Sequence, residues 1–229
     1  VMLENREGTT AIIRADDNVM PHIKIENKDG VLKIKIDDEI RTINSMTAEV
    51  RLPKSTNISR LEATSASHIE VDYTIQSAKL YAEASSAADI NISKADVTHC
   101  NIHASSAAKV TGSIKATECN INAISAANAK VQILANTCYA DASSAADITL
   151  AGEAGTLYLK ASSAADINAL STKALVSTSA DASSGANIKV NAGKALTADA
   201  SSGGTVAYKS DHDVNIHIKK SSGGSVRKM

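Results

Sequence analysis

The sequence predicts an all-β protein whose main part is a single-stranded, right-handed parallel β-helix, a solenoid of about nine coils with 18–21 residues in each coil. Three observations predict this fold. A short motif recurs along most of the chain, apolar and polar residues alternate within its copies, and the composition offers many small apolar residues but few bulky ones. No group of residues in the sequence forms a recognisable catalytic motif.

The recurring motif sets the length of one coil. The segment Ala-Ser-Ser-Ala-Ala-Asp-Ile stands at Ala84–Ile90, Ala142–Ile148 and Ala161–Ile167, and close variants occupy the intervals. The second serine of each copy serves here as its reference serine; these residues are Ser65, Ser86, Ser106, Ser125, Ser144, Ser163, Ser184, Ser202 and Ser222. A period of 18–21 residues, with two short strands predicted in each copy and no helical stretch, is typical of a solenoid in which each copy forms one coil and neighbouring coils stack about 4.8 Å apart.

Alternation within each copy predicts which side chains face the core. The position two residues before the reference serine is Ala in every copy except the last, and the positions four before and four after it are small or apolar. The position three before it is mostly polar or charged, as at Glu83, His103 and Asn122. A period of two residues indicates a strand with one side on a core and the other in water. The Ser-Ser-Ala-Ala and Ser-Ser-Gly-Gly segments are predicted to be the corners.

The region before the repeat is predicted to close one end of the solenoid. Residues 1–55 lack the motif, and strands are predicted at Ala11–Arg14, His22–Asn27 and Val31–Asp37, the last two joined by a turn at Lys28–Gly30. An open solenoid end exposes unpaired strand edges, which proteins generally cover. We therefore expect irregular or antiparallel capping strands in residues 1–55, continuous with the parallel β-helix of residues 56–229, in one structural domain overall.

Composition excludes some classes of function. The chain has no Phe or Trp and five Tyr, although 43% of its residues are hydrophobic, which predicts a narrow core filled by Ala, Ile, Val and Leu. Lys and Arg number 24 against 25 for Asp and Glu, so no overall charge would recruit nucleic acid. No run of 18 apolar residues occurs, which predicts no membrane span. Because Val1 is not a natural start, we expect a targeting segment to have preceded it.

The serine-rich repeats resemble a known family. Runs of Ser-Gly/Ala-Ala/Ser-x-Ile/Val recur every 18–21 residues, after the segment Arg51–Pro53 and before the closing segments Val206–Tyr208 and Ser221–Val226. They are similar to those of the family described as putative auto-transporter adhesin, head GIN domain, over essentially the whole chain. The resemblance implies an exported bacterial protein of the periplasm, the outer membrane surface or the medium, with a binding role.

The resemblance has one departure. The family commonly has Gly directly after the reference serine, whereas this chain has Ala there in five consecutive copies; these residues are Ala87, Ala107, Ala126, Ala145 and Ala164. This departure predicts a corner that tolerates a Cβ atom.

Three cysteines form the first candidate site. Cys100, Cys119 and Cys138 are 19 residues apart, one per coil, in an apolar column. An odd number of thiols cannot all pair within one chain, and the count alone leaves the redox compartment undecided. Zinc prefers four tetrahedral ligands, whereas a straight column offers three in a line. We therefore expect buried free thiols and neither a metal nor a cofactor.

The histidines near this column are predicted to lie on the other side of the strand. If Cys100 faces the core, His99 and His103 face water, because successive strand side chains alternate. The three residues then cannot surround one ion. His212 and His217 have no Ser or Cys that the stacked coils would place beside them, so no Ser-His-Asp arrangement is predicted.

Two pairs of carboxylates give a weaker candidate. Asp147 and Asp166 are predicted to be neighbours at the corners, and Asp181 and Asp199 on a strand. Calcium takes six to eight oxygen ligands, and neither pair has a third carboxylate in an adjacent column. The pair Asp147 and Asp166 is the weak alternative for a metal site; solvated surface carboxylates are the default interpretation.

Tyrosines provide the strongest candidate for binding. Tyr139 and Tyr158 both lie five residues before a reference serine, so they are predicted to point outward and stack one coil apart, with Tyr81 further along the same column. Exposed aromatic rings suit stacking on a sugar or contact with another protein. The alternative is that the rings only stabilise the stacked strands.

These observations favour a non-catalytic envelope or secreted protein that binds through flat faces. The expected partner is a glycan or a surface protein, and a homo-oligomer is left open. The alternative is a carbohydrate-active enzyme resembling a polysaccharide lyase that acts near the acidic pairs. A cluster of three or more acids with a nearby Lys or Arg would favour the enzyme, and a flat face without a cleft would favour the binding protein.

Overall fold

The computed structural model describes residues 1–37, 48–210 and 213–229, which form two compact units, Val1–Lys54 and Ser55–Met229. Within these described ranges, the regular structure consists of β-strands and one short 3-10 helix, Met20–His22. The prediction of an all-β protein is therefore confirmed.

The first unit contains short strands that pair mainly antiparallel. They are β1 (Met2–Leu3), β2 (Ile12–Ala15), β3 (Ile23–Lys28), β4 (Val31–Ile36) and β5 (Ala48–Leu52). β2 pairs antiparallel and β1 pairs parallel with β5, and β3 and β4 form a hairpin. Its turn residues Asp29 and Gly30 have φ angles of 53° and 78°, as a tight hairpin turn requires. The predicted strands are confirmed to within about one residue, and the capping role of this unit stays a prediction.

The second unit is a parallel β-solenoid. Its strands are β6 (Arg60–Ala63), β7 (His68–Ala84), β8 (Asp89–Ala104), β9 (Lys109–Ile124), β10 (Asn128–Ser143), β11 (Asp147–Ala161), β12 (Asp166–Ala182), β13 (Asn187–Asn191), β14 (Ala195–Ala200), β15 (Thr205–Lys209), β16 (Asn215–Lys220) and β17 (Ser225–Lys228). Coils are numbered here by the reference serine that ends each of them, so coil 1 ends at Ser65 and coil 9 at Ser222. The stacked parallel coils confirm the predicted fold class.

The main difference from the sequence prediction is the number of strands in a coil. Most coils contain one long strand, whereas two short strands were expected in each. From β7 to β12 a single strand of 15–17 residues runs from one corner to the next. Register shifts interrupt the pairing between Val71 and Thr74 and between Ile92 and Ala95. A bulge of this kind bends a strand without ending it, so the coil turns back while its hydrogen bonding continues. Coils 8 and 9 are divided into two strands each, as predicted.

The corners are left-handed turns stacked on one another. Every reference serine has a φ angle between 47° and 57°, and the next residue, Ala or Gly, also has a positive φ angle. In coil 2 the turn spans Ser85–Ala88, and the Ala88 amide donates to the Ser85 carbonyl at 3.2 Å. The Ala87 amide donates at 2.9 Å to the carbonyl of Ser106, the reference serine of the next coil. These bonds tie each corner to its neighbour.

The core lies inside the solenoid and is as narrow as the composition predicts. The inward columns repeat from coil to coil, and most of their residues are less than 3% exposed. The alanine column two residues before the reference serine shows this well: Ala84, Ala104, Ala123, Ala142, Ala161, Ala182 and Ala200 are all 0% exposed. Alanine leaves room for opposite walls to approach closely, so the core is filled without Phe or Trp.

Candidate functional site

Two outward columns define a surface that we call the front face. The tyrosine column lies five residues before the reference serines and consists of Arg60, Tyr81, Asn101, Asn120, Tyr139, Tyr158, Ser179, Thr197 and His217. The acidic column lies three before them and consists of Glu62, Glu83, His103, Asn122, Asp141, Lys160, Asp181, Asp199 and Lys219. In-register pairing stacks each column along the solenoid, so neighbours in a column are about 4.8 Å apart.

The tyrosines point outward and stack as predicted. The ring centroids of Tyr139 and Tyr158 are 4.8 Å apart and their planes differ by 9°. Both residues remain more than 40% exposed, and Tyr81 is 40% exposed. Each ring therefore presents apolar surface and a hydroxyl group to the solvent from a rigid strand. Ligand binding by these tyrosines stays a prediction.

A shallow groove of about 340 Å³ lies between Tyr81 and Tyr139 on the front face. Coils 3 and 4 carry Asn101 and Asn120 in the tyrosine column, so two successive places that a tyrosine could occupy are free of rings. The acidic column contributes His103, Asn122 and Asp141 to the same groove; its full lining is Arg60, Tyr81, Ala82, Glu83, Asn101, Ile102, His103, Asn120, Ile121, Asn122, Tyr139 and Asp141. The face is thus not flat here.

The groove was not predicted from the sequence, although a signal for it was present. Asn101, Asn120 and Asn122 are ordinary surface residues along the chain. They become informative only when the outward columns are read across coils, because short amides then stand between two tyrosines.

The charged residues that line the groove lie at its two ends. At one end, the Arg60 guanidinium contacts Glu83 at 2.7 Å and Glu62 at 3.3 Å. At the other end lies Asp141. Between them the floor consists mainly of amides and an imidazole, and the Asn120 amide donates to Glu118 at 2.9 Å. The middle of the groove can therefore both donate and accept hydrogen bonds.

The cysteines are buried as predicted. Cys100, Cys119 and Cys138 stand in register on β8, β9 and β10, are 0% exposed and are free thiols. The hydrogen bond with Cys119, together with burial, raises the pKa of Cys100 well above the ordinary range. The hydrogen bond from Cys100 lowers the pKa of Cys119, but its bond with Cys138 and its burial outweigh this effect and raise it well above that range. Such thiols stay protonated and are poor nucleophiles.

The histidines lie on the opposite side of the strand from the cysteines, which confirms the predicted alternation. His99 and His103 are partly exposed, and His103 belongs to the front face, whereas Cys100 is inside. His217 is exposed in the tyrosine column, and His212 lies outside the described residues. Among the residues that the structure describes, no group of three or more His, Cys, Asp or Glu is arranged to hold a metal ion.

The acidic pairs are neighbours, as predicted. Asp147 and Asp166 are exposed and in register, with Asn128 and Asn187 as the next residues in that column. They therefore form an isolated pair of carboxylates at the surface.

The second acidic pair lies between two cations. Asp181 and Asp199 stand between Lys160 and Lys219 in the acidic column, and the Lys219 ammonium lies 3.9 Å from Asp199. Acidic and basic residues next to one another in an exposed column are typical of a solvated strand face.

Another depression, of about 540 Å³, lies where the coils bend. Leu134 and Leu175 are 52% and 38% exposed and stand near Gly155, which has no side chain. A Cβ atom at Gly155 would lie 2.5 Å from the Asn136 carbonyl oxygen, so glycine is needed for the coils to pack. The depression therefore lies beside a close backbone contact that glycine permits.

The described ranges contain no helix with the length and apolar character of a membrane span.

Solved bacterial structures share this fold. A putative adhesin from Parabacteroides distasonis matches with a TM-score of 0.67 at 18% sequence identity, over 100% of this chain and 87% of that one. A putative lipid binding protein from the same species matches with a TM-score of 0.63 at 15% identity, over 100% and 87%. A putative adhesin from Parabacteroides merdae matches with a TM-score of 0.61 at 12% identity, over 100% and 98%. At these identities the likeness concerns the fold. No curated protein matches the sequence.

The family model described as putative auto-transporter adhesin, head GIN domain, matches residues 1–130 and 100–211. The two matches together extend over most of the chain, in agreement with the resemblance of the serine-rich corners. The chain therefore belongs to the putative auto-transporter adhesin, head GIN domain family.

Proposed function

We propose that this chain is a non-catalytic binding protein of the bacterial cell envelope that attaches to a surface molecule through its front face. The observation that carries this proposal is the stacked, half-exposed pair Tyr139 and Tyr158, with Tyr81 in the same column. The family name and the names of the similar structures support a binding role. Export to the periplasm, the outer membrane surface or the medium is part of the same proposal.

The physics of the tyrosine pair suits binding. A tyrosine offers a large apolar ring and a hydroxyl group but has only two rotatable side-chain bonds, so little conformational entropy is lost when it binds. Stacking between Tyr139 and Tyr158 restricts the rings before a ligand arrives, and a partner then costs less free energy to bind. The strands beneath are fixed by pairing on both sides, so the surface is preformed.

The alternative, an enzyme that cleaves polysaccharides, has less support. The exposed pair Asp147 and Asp166 has amides next to it in its column, and the pair Asp181 and Asp199 is flanked by lysines. Neither column places a third acidic residue next to its pair, as a lyase-like site near these carboxylates would need. We therefore propose no catalytic role for these residues.

A binding comparison tests the proposal. The purified chain is applied to a glycan array, with and without calcium, and to immobilised bacterial envelope proteins. We expect saturable binding that the double substitution Tyr139→Ser and Tyr158→Ser abolishes. The matched control is the substitution of Lys130 and Thr149 by Ser, since these two residues are also in register on β10 and β11 but lie outside the front face. Equal binding by both double variants, with unchanged unfolding in urea, would contradict the proposal.

A further inference from the structure

We propose that the groove between Tyr81 and Tyr139 binds a short, uncharged oligosaccharide. This inference rests on the proposed function and names the ligand class for one part of the front face. It follows from three properties of the groove: its place in the tyrosine column, the chemistry of its floor and the charges at its ends.

The groove is a gap in a stack of rings. One face of the Tyr139 ring packs on Tyr158 in coil 6, so its other face is turned towards coil 4. There the column has Asn120, which is too short to cover the ring, and Tyr139 accordingly lines the groove. A pyranose ring can occupy this place, with its C–H face on the tyrosine, as the next ring of the stack.

The length of the gap suits more than one sugar. Tyr81 and Tyr139 are separated by three coil intervals, because Asn101 and Asn120 stand between them in register. Three intervals of about 4.8 Å place the two tyrosine backbones about 14 Å apart along the solenoid. A short oligosaccharide can therefore lie along the groove with an aromatic ring at each end.

The floor of the groove matches hydroxyl groups. Neighbouring hydroxyls of a sugar each donate and accept, and a carboxamide does the same from one rigid plane. Asn101, Asn120 and Asn122 bring such groups to the floor, with His103 beside them. Hydrogen bonds from these side chains to a sugar replace the bonds that the same groups make to water. The floor therefore favours ligands that carry several hydroxyl groups.

Charge excludes acidic sugars. Glu83 and Asp141 lie at the two ends of the groove, and a uronic acid or a sialic acid would meet a carboxylate at either end. Arg60 does not compensate for this, because it already contacts both Glu62 and Glu83. Like charges in close contact are unfavourable, and an uncharged sugar is therefore preferred.

An extended peptide fits less well. Peptides commonly bind as an added strand through free backbone groups at a sheet edge. The floor of the groove belongs to β8 and β9, each of which is paired on both sides. Only side chains are left for a ligand, which favours a molecule recognised through its hydroxyl groups.

A titration followed by NMR tests this inference. The probes are uncharged trisaccharides of glucose, mannose and N-acetylglucosamine, with trigalacturonate as the acidic comparison. We expect at least one uncharged probe to bind saturably at millimolar concentration and to shift the side-chain amide signals of Asn101 and Asn120. Trigalacturonate is expected to bind more weakly than that probe.

The substitution Asn120→Tyr locates the site. It places a ring in the gap and should weaken binding of the uncharged probe about tenfold or more, which corresponds to about 1.4 kcal/mol. The matched control is Asn128→Tyr, because Asn128 is also an outward amide of the adjoining strand β10 but is absent from the lining of the groove. Asn101→Tyr fills the gap from the other end and replaces the first variant if that one fails to fold.

Three results would each overturn the inference: no uncharged probe binds, trigalacturonate binds equally well, or Asn120→Tyr keeps the parent affinity. The proposed function can be separated from it. Asn120→Tyr leaves Tyr139 and Tyr158 in place, so attachment to a protein surface through these tyrosines would survive in that variant even if the groove bound no sugar.

Discussion

The inward and outward sides of the same strands differ in how they vary from coil to coil. Inside, the alanine column is the same residue in eight successive coils, and the neighbouring inward columns change only among small or apolar residues. Outside, the tyrosine column contains Arg, Tyr, Asn, Ser, Thr and His in nearly the same geometry. The inward columns are constrained by packing, since opposite walls leave no free volume. The outward columns are free of this constraint, so differences between coils there carry the information about binding.

The largest effect is expected from placing a larger side chain in the inward alanine column. Ala142 is 0% exposed, and its column neighbours Ala123 and Ala161 are too. Ala142→Leu should therefore overpack the core and lower the free energy of unfolding by about 1–3 kcal/mol, towards the upper end of that range. Urea denaturation measures it. The control is Lys130→Leu, at an exposed, outward-facing position of β10. This substitution should change the free energy of unfolding by less than about 0.5 kcal/mol. Equal effects of the two variants would mean that the two sides are not distinguished by packing.

The cysteine column should make stability fall at alkaline pH. Cys100 and Cys119 have raised pKa values in the folded protein, whereas a thiol in the unfolded chain ionises near pH 8.5. Above that pH the unfolded chain binds fewer protons than the folded chain, so stability decreases as pH rises. Two thiols together should remove about 2 kcal/mol between pH 8.5 and 9.5.

Denaturation at a series of pH values checks this slope. A variant with both Cys100→Ala and Cys119→Ala should be less stable at neutral pH, because cavities replace the sulfur atoms, but its stability should depend less on pH in this interval. A parent protein with constant stability from pH 8 to 9.5 would contradict the expected protonation of these thiols.

The inward side was predictable from the sequence because its signal is repeated. Nine copies repeat the same alternation, so single exceptions do not obscure which columns face the core. The corners were placed correctly for the same reason. Their left-handed geometry was not, because Ser86 and Ala87 belong to residue types that rarely adopt positive φ angles. The continuity of each strand was also missed, since a bulge leaves no mark when alternation resumes beyond it.

The groove could not be found along the chain because it consists of a difference between neighbours in space. Asn101 and Asn120 are 19 residues apart in the sequence, and neither is unusual by itself. Their meaning depends on Tyr81 and Tyr139 in the coils on either side. Reading the outward columns across coils, with the same reference serines that revealed the core, would have located the gap but not its depth.

A smaller effect, which stabilises the protein, is expected at a polar residue in a mostly apolar inward column. Thr178 lies in the column of Leu157 and Leu196 and is 2% exposed. Its buried hydroxyl has no hydrogen-bond partner among the residues that the structure describes. Burying an unpaired hydroxyl costs free energy, and Val has nearly the same shape. Thr178→Val should therefore stabilise the protein by about 1 kcal/mol, measured by urea denaturation. The control Thr197→Val, at an outward position of β14, should have almost no effect; a destabilised Thr178→Val variant would indicate that the hydroxyl is bonded to water.

The smallest effect is expected at the corners, where backbone conformation matters more than the direction of a side chain. Ala145 has a φ angle of 59° and is exposed. Gly185, which directly follows the reference serine of coil 7, has a φ angle of 74°, and apart from its chain neighbours no described residue has an atom within 4 Å of the place where its Cβ would lie. Space is therefore not the constraint, and the resemblance-based expectation that the corner tolerates a Cβ atom is confirmed. The left-handed conformation still costs a residue with a Cβ about 1–2 kcal/mol, and part of this is offset because glycine loses more entropy on folding.

Ala145→Gly should therefore stabilise the folded protein by about 0.5–1 kcal/mol, and Gly185→Ala should destabilise it by a similar amount. Thermal or urea denaturation of both variants measures these differences, and a stabilised Gly185→Ala variant would show that the stacked bonds between corners hold the left-handed turn at no cost to alanine.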